Sequence, residues 1–256
     1  MNDTTVCAGR QPIRLTASQE KKLFGGRTPK YIGQGKDACA YKVNGDVVKF
    51  TGNAQDAAAS VALARKPVRG VVRIQGVARV SDWPGGPWAV KSKFVPRPGP
   101  LTELARGCAV QGHMDNLWAE RFTRAQKDPR VLSRAMPVPK SVVACILVRA
   151  PSARIAPGKA VKFLRELSDT QVRLARATGI HWGDTSSFGN ISEENGKPVI
   201  IDLGSSVVPR RYFEALERTP ELAGVAASGS VGVMLLGAAA VAAALVLAAV
   251  AGGGVR

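Results

Sequence analysis

The sequence predicts an α+β protein of two lobes, a small antiparallel β-lobe followed by a mainly helical one, with a hydrophobic helix at the C-terminus. Three observations predict this. Between Tyr31 and Val95 short apolar segments alternate with turn signals, among them the hairpin dipeptide Asn44-Gly45. Pro96-Arg97-Pro98-Gly99-Pro100 then breaks the chain, and beyond it apolar residues recur at three-to-four spacing. Strands gathered first and helices after them suit a segregated α+β fold better than an alternating, doubly wound sheet.

Met1 to Thr16 is polar and lacks the apolar stretch of a secretory signal. Ala17 to Phe24 reads as a short helix stopped by Gly25-Gly26, so residues 1–28 are taken as an N-terminal extension. The β-lobe is set at 29–96. Tyr31 to Gly35 enters a glycine loop, Ala38 to Val43 leaves it as a strand, and Asp46 to Thr51 returns after the Asn-Gly turn. An Ala-rich helix follows from Ala54 to Arg65, then strands within Val71 to Val80 and Trp88 to Val95. In the helical lobe, 97–221, helical periodicity marks Leu101 to Val110, Asp115 to Lys127 and Lys159 to Thr178, with a short apolar strand at Lys197 to Leu203. The stretch from Gly107 to Pro157 receives no role beyond filling this lobe or binding substrate.

Residues 222–256 differ in kind. No charged residue occurs from Leu222 to Val255, and Ser230 to Ala251 is long enough to cross a hydrocarbon core of about 30 Å as a helix. The expectation is a single-pass C-terminal anchor in a membrane, with the basic domain on the cytoplasmic side. A buried apolar helix in an assembly is the alternative for so alanine-rich a segment.

Charge and cysteine usage narrow the function. With 36 Lys and Arg against 19 Asp and Glu, the net charge of +17 attracts nucleic acid, anionic lipid or nucleotide phosphates. No zinc-finger spacing, basic zipper or RNP-type motif is present, so nucleic-acid binding has the support of charge and of no motif. Cys7, Cys39, Cys108 and Cys145 stand far apart without a CxxC pair and read as reduced cytosolic thiols. His113 and His181 are the only histidines, which argues against a histidine-based metal site but leaves room for a hard cation on oxygen ligands.

Two constellations carry chemistry. In the first, Gly33 and Gly35 let the backbone turn tightly and approach a ligand, and Lys49 stands on the returning strand among apolar neighbours. A lysine there is costly unless an anion meets it. Taken alone, this is as well explained by a structural hairpin. In the second, Asp184 and Asn190 lie on a loop after a helix, and Asp202 ends the apolar strand Val199-Ile200-Ile201. An acid, an amide and a second acid in this order can supply one base or substrate orienter and two magnesium ligands. Singly, each is as well read as a turn former or cap.

Together these residues resemble the protein-kinase-like fold. The glycine loop is similar to that family's GxGxxG and Val47-Val48-Lys49 to its V-A-I-K strand. Asp184 with Asn190 resembles the catalytic loop, and Asp202-Leu203-Gly204 resembles D-F-G. The resemblance implies ATP and Mg2+. Gly33 and Gly35 would cover the phosphates, Lys49 would hold the α- and β-phosphates, and Asp56 would pair with Lys49. Asp184 would orient the acceptor hydroxyl and take its proton, while Asn190 and Asp202 would hold magnesium. The pattern also departs from the family. Ala38 stands at the third glycine, Asp184 to Asn190 is one residue longer than D-x-x-x-x-N, and no arginine precedes Asp184. Gly183-Asp184 is closer to the aminoglycoside and choline kinase branch, and almost no activation segment follows Gly204.

The implied activity is an ATP-dependent phosphotransferase, foremost a membrane-anchored protein Ser/Thr kinase. The alternatives are a catalytically inactive membrane-tethered module and a small-molecule kinase. A basic nucleic-acid holder with accidental motif matches comes last.

Overall fold

The structure is a computed structural model; it describes residues 4–9, 11–80, 87–96, 98–128, 130–131, 134–182, 190–204, 206–220 and 222. The chain opens with a hairpin, β1 (Thr4–Ala8) against β2 (Gln11–Leu15), and the short helix α1 (Ala17–Phe24). Thr16 caps α1 with its side chain while Gln19 reaches back to the Thr16 N–H, and Gly25 ends it in the left-handed conformation at φ 64°.

Next come β3 (Lys30–Gln34), β4 (Ala38–Val43), β5 (Asp46–Thr51), the helix α2 (Ala54–Arg65), β6 (Ile74–Arg79) and β7 (Trp88–Lys93). Their strands form one five-stranded antiparallel sheet in the order β3-β4-β5-β7-β6. Asn44 adopts φ 57° in the β4–β5 turn, which explains the Asn-Gly pair there. Successive side chains on a strand point to opposite faces. On β5 this sends Val48 and Phe50, both fully buried, into a core shared with Val6, Leu15 and Phe24 of the N-terminal hairpin and α1. Lys49, between them, therefore faces the other way, toward α2 and the helical lobe.

That lobe contains α3 (Pro100–Gln111), α4 (Met114–Lys127), α5 (Lys140–Arg149) and α6 (Pro157–Thr178). Four short strands and a helix follow: β8 (His181–Trp182), β9 (Ile191–Glu194), β10 (Lys197–Ile200), β11 (Ser206–Val207) and α7 (Arg210–Glu217). The 22-residue α6 sends Phe163, Leu164, Leu167 and Leu174 into the main core. Burial of side chains of this size stabilises by about 1.5–3 kcal/mol each. The same core takes in Ala57, Ala58, Ala59 and Ala62 of α2, so it runs without interruption from the sheet into the helical lobe.

Backbone hydrogen bonds also join the lobes. Val72 N–H donates to the Ile200 carbonyl at 2.8 Å, and Ile200 N–H donates to Gly70 at 2.9 Å. Beyond α7 the chain returns to the β-lobe, where Leu222 N–H donates to Arg79 O at 2.8 Å and covers the edge of β6.

Three sequence expectations are corrected and one is narrowed. The cysteines are not free thiols: Cys7 bonds to Cys39 and Cys108 to Cys145, with Cα–Cα distances of 5.6 and 5.4 Å. Partners 32 and 37 residues apart are joined by tertiary packing, which no spacing motif announces. The polar N-terminal stretch contains a hairpin that forms part of the β-lobe core. Pro100, read as part of a chain break, instead opens α3, where its missing N–H costs nothing. The strand placed within Val71 to Val80 is confined to Ile74–Arg79, with Val71 making a lone bridge to Ile200. The stretch left open between Gly107 and Pro157 holds the whole of α4 and α5. The apolar segment Ser230 to Ala251 lies outside the described residues, and among the described residues no helix is long and apolar enough to cross a membrane.

Candidate active site

The sheet, α2 and the residues that flank the β9–β10 hairpin line a cleft of about 210 Å³. Ile32, Ala40, Val47, Val90, Val95 and Ile201 give it apolar walls, and Lys49, Asp56, Asn190 and Asp202 supply its polar end. A broader, shallower hollow of about 680 Å³ opens on the glycine loop alone, lined by Gln34, Gly35, Lys36 and Asp37. The convergent polar groups are in the smaller cleft, which makes it the candidate site.

Each polar group arrives by a separate local rule. Alternation on β5 aims Lys49 into the cleft. Asp56 is in the first turn of α2, whose N-cap Asn53 accepts from Gln55 N–H at 2.9 Å and Asp56 N–H at 3.2 Å. Asp202 follows β10, where Trp182 Nε1 donates to its carbonyl at 3.0 Å and Gly204 N–H donates to its Oδ1 at 3.0 Å. Asn190 precedes β9, and its carbonyl accepts from Ile201 N–H at 2.8 Å.

Lys49 Nζ stands 2.7 Å from Asp56 Oδ2 and 3.4 Å from Asp202 Oδ1. The Asp56 side chain is 4% exposed and that of Asp202 42%, so one carboxylate is buried and the other open to the cleft. Burial works to lower the Lys49 pKa, but Asp56 and Asp202 outweigh it and the net shift is upward. For Asp56 burial dominates and raises its carboxyl above the ordinary value despite Lys49. Asp202, although burial pushes it up, is carried below the ordinary value by Lys49 and the Gly204 N–H. Two acids around one ammonium leave this trio with a net negative charge when all three are ionised.

Of the residues singled out in the sequence, Lys49, Asp56, Asn190 and Asp202 thus meet in one cleft. Gly33 pairs with Ala40 across β3 and β4, and Gly35 N–H donates to Ala38 O at 2.7 Å, closing the turn above it. Asp184 lies outside the described residues. Asn53 belongs to none of the sequence motifs, yet its Nδ2 donates to the Gly204 carbonyl at 3.2 Å and so ties α2 to the Asp202 turn. Its position directly before an Ala-rich helix is the N-cap signal that could have marked it. Trp182, too, has no role assigned by those motifs.

The donor set fits a hard divalent cation. Asp202 and Asn190, both lining the cleft, carry the carboxylate and amide oxygens such an ion takes, and magnesium uses one or two protein ligands beside substrate phosphates. Among the described residues no cluster of three or more His, Cys, Asp or Glu could hold a metal by itself.

No family model and no curated protein matches the chain. Among solved structures it is similar to an aminoglycoside phosphotransferase APH(4)-Ia in a ternary complex with AMP-PNP and hygromycin B. The identity is 10% and the TM-score 0.35, over 75% of this chain and 72% of that one. It is also similar to a GDP complex of an aminoglycoside 2'-phosphotransferase-IIIa, at 17% identity and TM-score 0.37 over 75% and 71% of the two chains. Overlaps this loose do not assign the chain to a family. The antiparallel sheet, the Lys49–Asp56 pair on β5 and α2, and Asp202 shortly after β10 agree with the protein-kinase-like resemblance of the sequence.

Proposed function

We propose that the protein is an ATP-dependent phosphotransferase whose acceptor is a hydroxyl of a small molecule. The observation that carries this reading is the convergence of Lys49, Asp56 and Asp202 in one cleft. Lys49, held by Asp56, presents its ammonium to the α- and β-phosphates, and Gly33 and Gly35 cover them. Asp202 and Asn190 would hold magnesium, which would neutralise phosphate charge. Asp184 orients the acceptor and takes its hydroxyl proton as the acceptor oxygen bonds to the γ-phosphorus. The bond from that phosphorus to the β-phosphate oxygen breaks, and ADP leaves. Placement and charge stabilisation supply nearly all of such catalysis.

A small acceptor is favoured over a protein Ser/Thr side chain by the stretch after Asp202. Ser206 already pairs with Trp182 in β11, and α7 begins at Arg210, which leaves little chain for a peptide-docking segment. Incubation of the full chain with γ-labelled ATP and magnesium tests this reading. Separate reactions supply small hydroxylated compounds, including an aminoglycoside, and a generic basic protein. Label on a small compound supports the reading; label on the protein alone returns the acceptor to a Ser/Thr side chain; label on neither overturns the phosphotransferase assignment.

Membrane attachment through Ser230 to Ala251 belongs to the same proposal and rests on that segment's lack of charge. Deletion of residues 223–256 should move the protein from the membrane to the soluble fraction. A deletion variant that still pellets with membranes contradicts it.

A further inference from the structure

The N-terminal hairpin reaches the glycine loop at three points, all from Cys7 to Gly9. Cys7 is bonded to Cys39, the second residue of β4 after the loop. The Gly9 carbonyl accepts from Gln34 Nε2 at 2.6 Å on the other side of the loop. Gly9 itself, at φ +59°, lies so close that a Cβ there would stand 2.5 Å from the Lys36 carbonyl oxygen and 3.1 Å from Asp37 Cα. The loop is thus gripped at its entry, its tip and its exit. Its own hydrogen bonds are few, Gly35 N–H to Ala38 O at 2.7 Å and Gly52 N–H to Asp37 O at 2.9 Å. A Cβ on Gly33 would meet nothing within 4 Å, so the loop keeps open space beside it while the hairpin braces it.

We propose that this hairpin is a positioning element for the glycine loop, and that the Cys7–Cys39 bond makes the order of the loop respond to thiol–disulfide state. The consequence for nucleotide rests on the phosphotransferase reading. A loop ordered in advance loses less entropy when a ligand binds under it. Cys39 is 1% exposed while Cys7 is only partly buried, so an external dithiol attacks at the Cys7 sulfur. Its thiolate bonds to that sulfur and Cys39 leaves as a thiolate. The second thiol of the reductant then displaces Cys7, so two electrons pass to the protein and the reductant closes to its own disulfide. Both cysteines end as thiols, and the hairpin loses its covalent tie, keeping hydrogen bonds such as Gln34 to Gly9 and its packing. The second disulfide, Cys108–Cys145, fastens α3 to α5 away from the loop and serves as an internal control.

The test compares the full chain before and after dithiothreitol, beside Cys7→Ser and Cys145→Ser variants. It reads amide hydrogen exchange over residues 33–39 and the KM and kcat for ATP. Breaking Cys7–Cys39 should speed exchange in the loop about tenfold or more, and raise the KM for ATP roughly three- to tenfold with kcat changed less than about twofold. Cys145→Ser should leave both readouts unchanged, and should still show the rise on reduction. If Cys7→Ser fails to fold, reduction of the unmodified chain gives the same readouts. Loop exchange that is the same in the oxidised and reduced chains overturns the proposal. So does faster exchange in a nucleotide-binding chain whose KM does not move. Faster loop exchange in a chain that binds no nucleotide in either state supports the brace and overturns the phosphotransferase reading instead.

Discussion

Lys49 is the residue on which the site turns, because its ammonium is held out of bulk water by two acids of unequal burial. Removing one partner of a buried ion pair costs several kcal/mol, since the other charge is left without compensation. Asp56→Ala should therefore destabilise the fold by at most about 3 kcal/mol, read from denaturant unfolding, because Asp202 at 3.4 Å still leaves Lys49 one partner. The pH dependence follows from the directions of the shifts. Lys49 lies above its ordinary 10.5, so its contribution is fully present below that pH and fades as pH rises through the folded-state value. Asp202 lies below its ordinary 3.8, so its contribution is present above 3.8 and is lost as pH falls. Asp56 runs the other way: burial keeps it above 3.8, and its ionisation subtracts from stability as pH rises through its folded value. The stability gap between the protein and Lys49→Met should accordingly be constant near neutrality and close above pH 10.5. A gap that persists unchanged at strongly alkaline pH would show that Lys49 is not stabilised through its charge.

At the scale of elements, Asn53 joins two parts of the site that are far apart in sequence. It caps α2, and its amide holds Gly204. Asn53→Ala should cost about 1 kcal/mol in thermal or denaturant stability, the usual value of an N-cap. It should lower kcat/KM further than Gln55→Ala, which lies on the same turn and leaves the Gln55 N–H to Asn53 bond in place. Equal losses in the two variants would reduce Asn53 to a cap alone. Strands β4 and β5 and helix α2 were legible to the residue. An Asn-Gly turn between alternating segments and a capped run of alanines are local signals, which the fold had no need to override. What escaped was held by tertiary contacts. The β1–β2 hairpin is short, its buried Val6 and Leu15 gain their environment only against β4 and β5, and no turn dipeptide marks it. The disulfides depend on that same packing. Helix α5 buries only Val142 and Ile146 and leaves Leu147 and Val148 exposed, so its sequence carries little helical periodicity to read. Within the site, Lys49, Asn190 and Asp202 were legible because they sit in motifs of fixed order. Asp56 was reached as the only acid on α2, and Asn53 was missed because its second contact spans 151 residues.

For the whole molecule, the net charge of +17 acts over longer distances than any of these contacts. A basic surface draws in a polyanion and repels a polycation, and both effects fade once salt shortens the Debye length to about 8 Å or less. The KM for ATP should therefore rise several-fold between low and high salt while kcat changes little. The same field favours a neutral or anionic acceptor over a polycationic one. A KM independent of ionic strength would mean that the charge is remote from the cleft. The ties between lobes are of two kinds. The exposed pair Lys93–Glu194, at 2.6 Å, contributes at most about 1 kcal/mol. The backbone bonds between Val72, Gly70 and Ile200 and the shared apolar core carry most of the connection.

The central claim is that the cleft transfers phosphate with Asp202 at its centre. It is tested most directly by the full chain and its Asp202→Asn variant, each with γ-labelled ATP, magnesium and a panel of hydroxylated acceptors, after matched unfolding curves have established that both are folded. The account predicts acceptor-dependent transfer of label by the unmodified chain and its loss in Asp202→Asn. Transfer at equal rates by the two would contradict it.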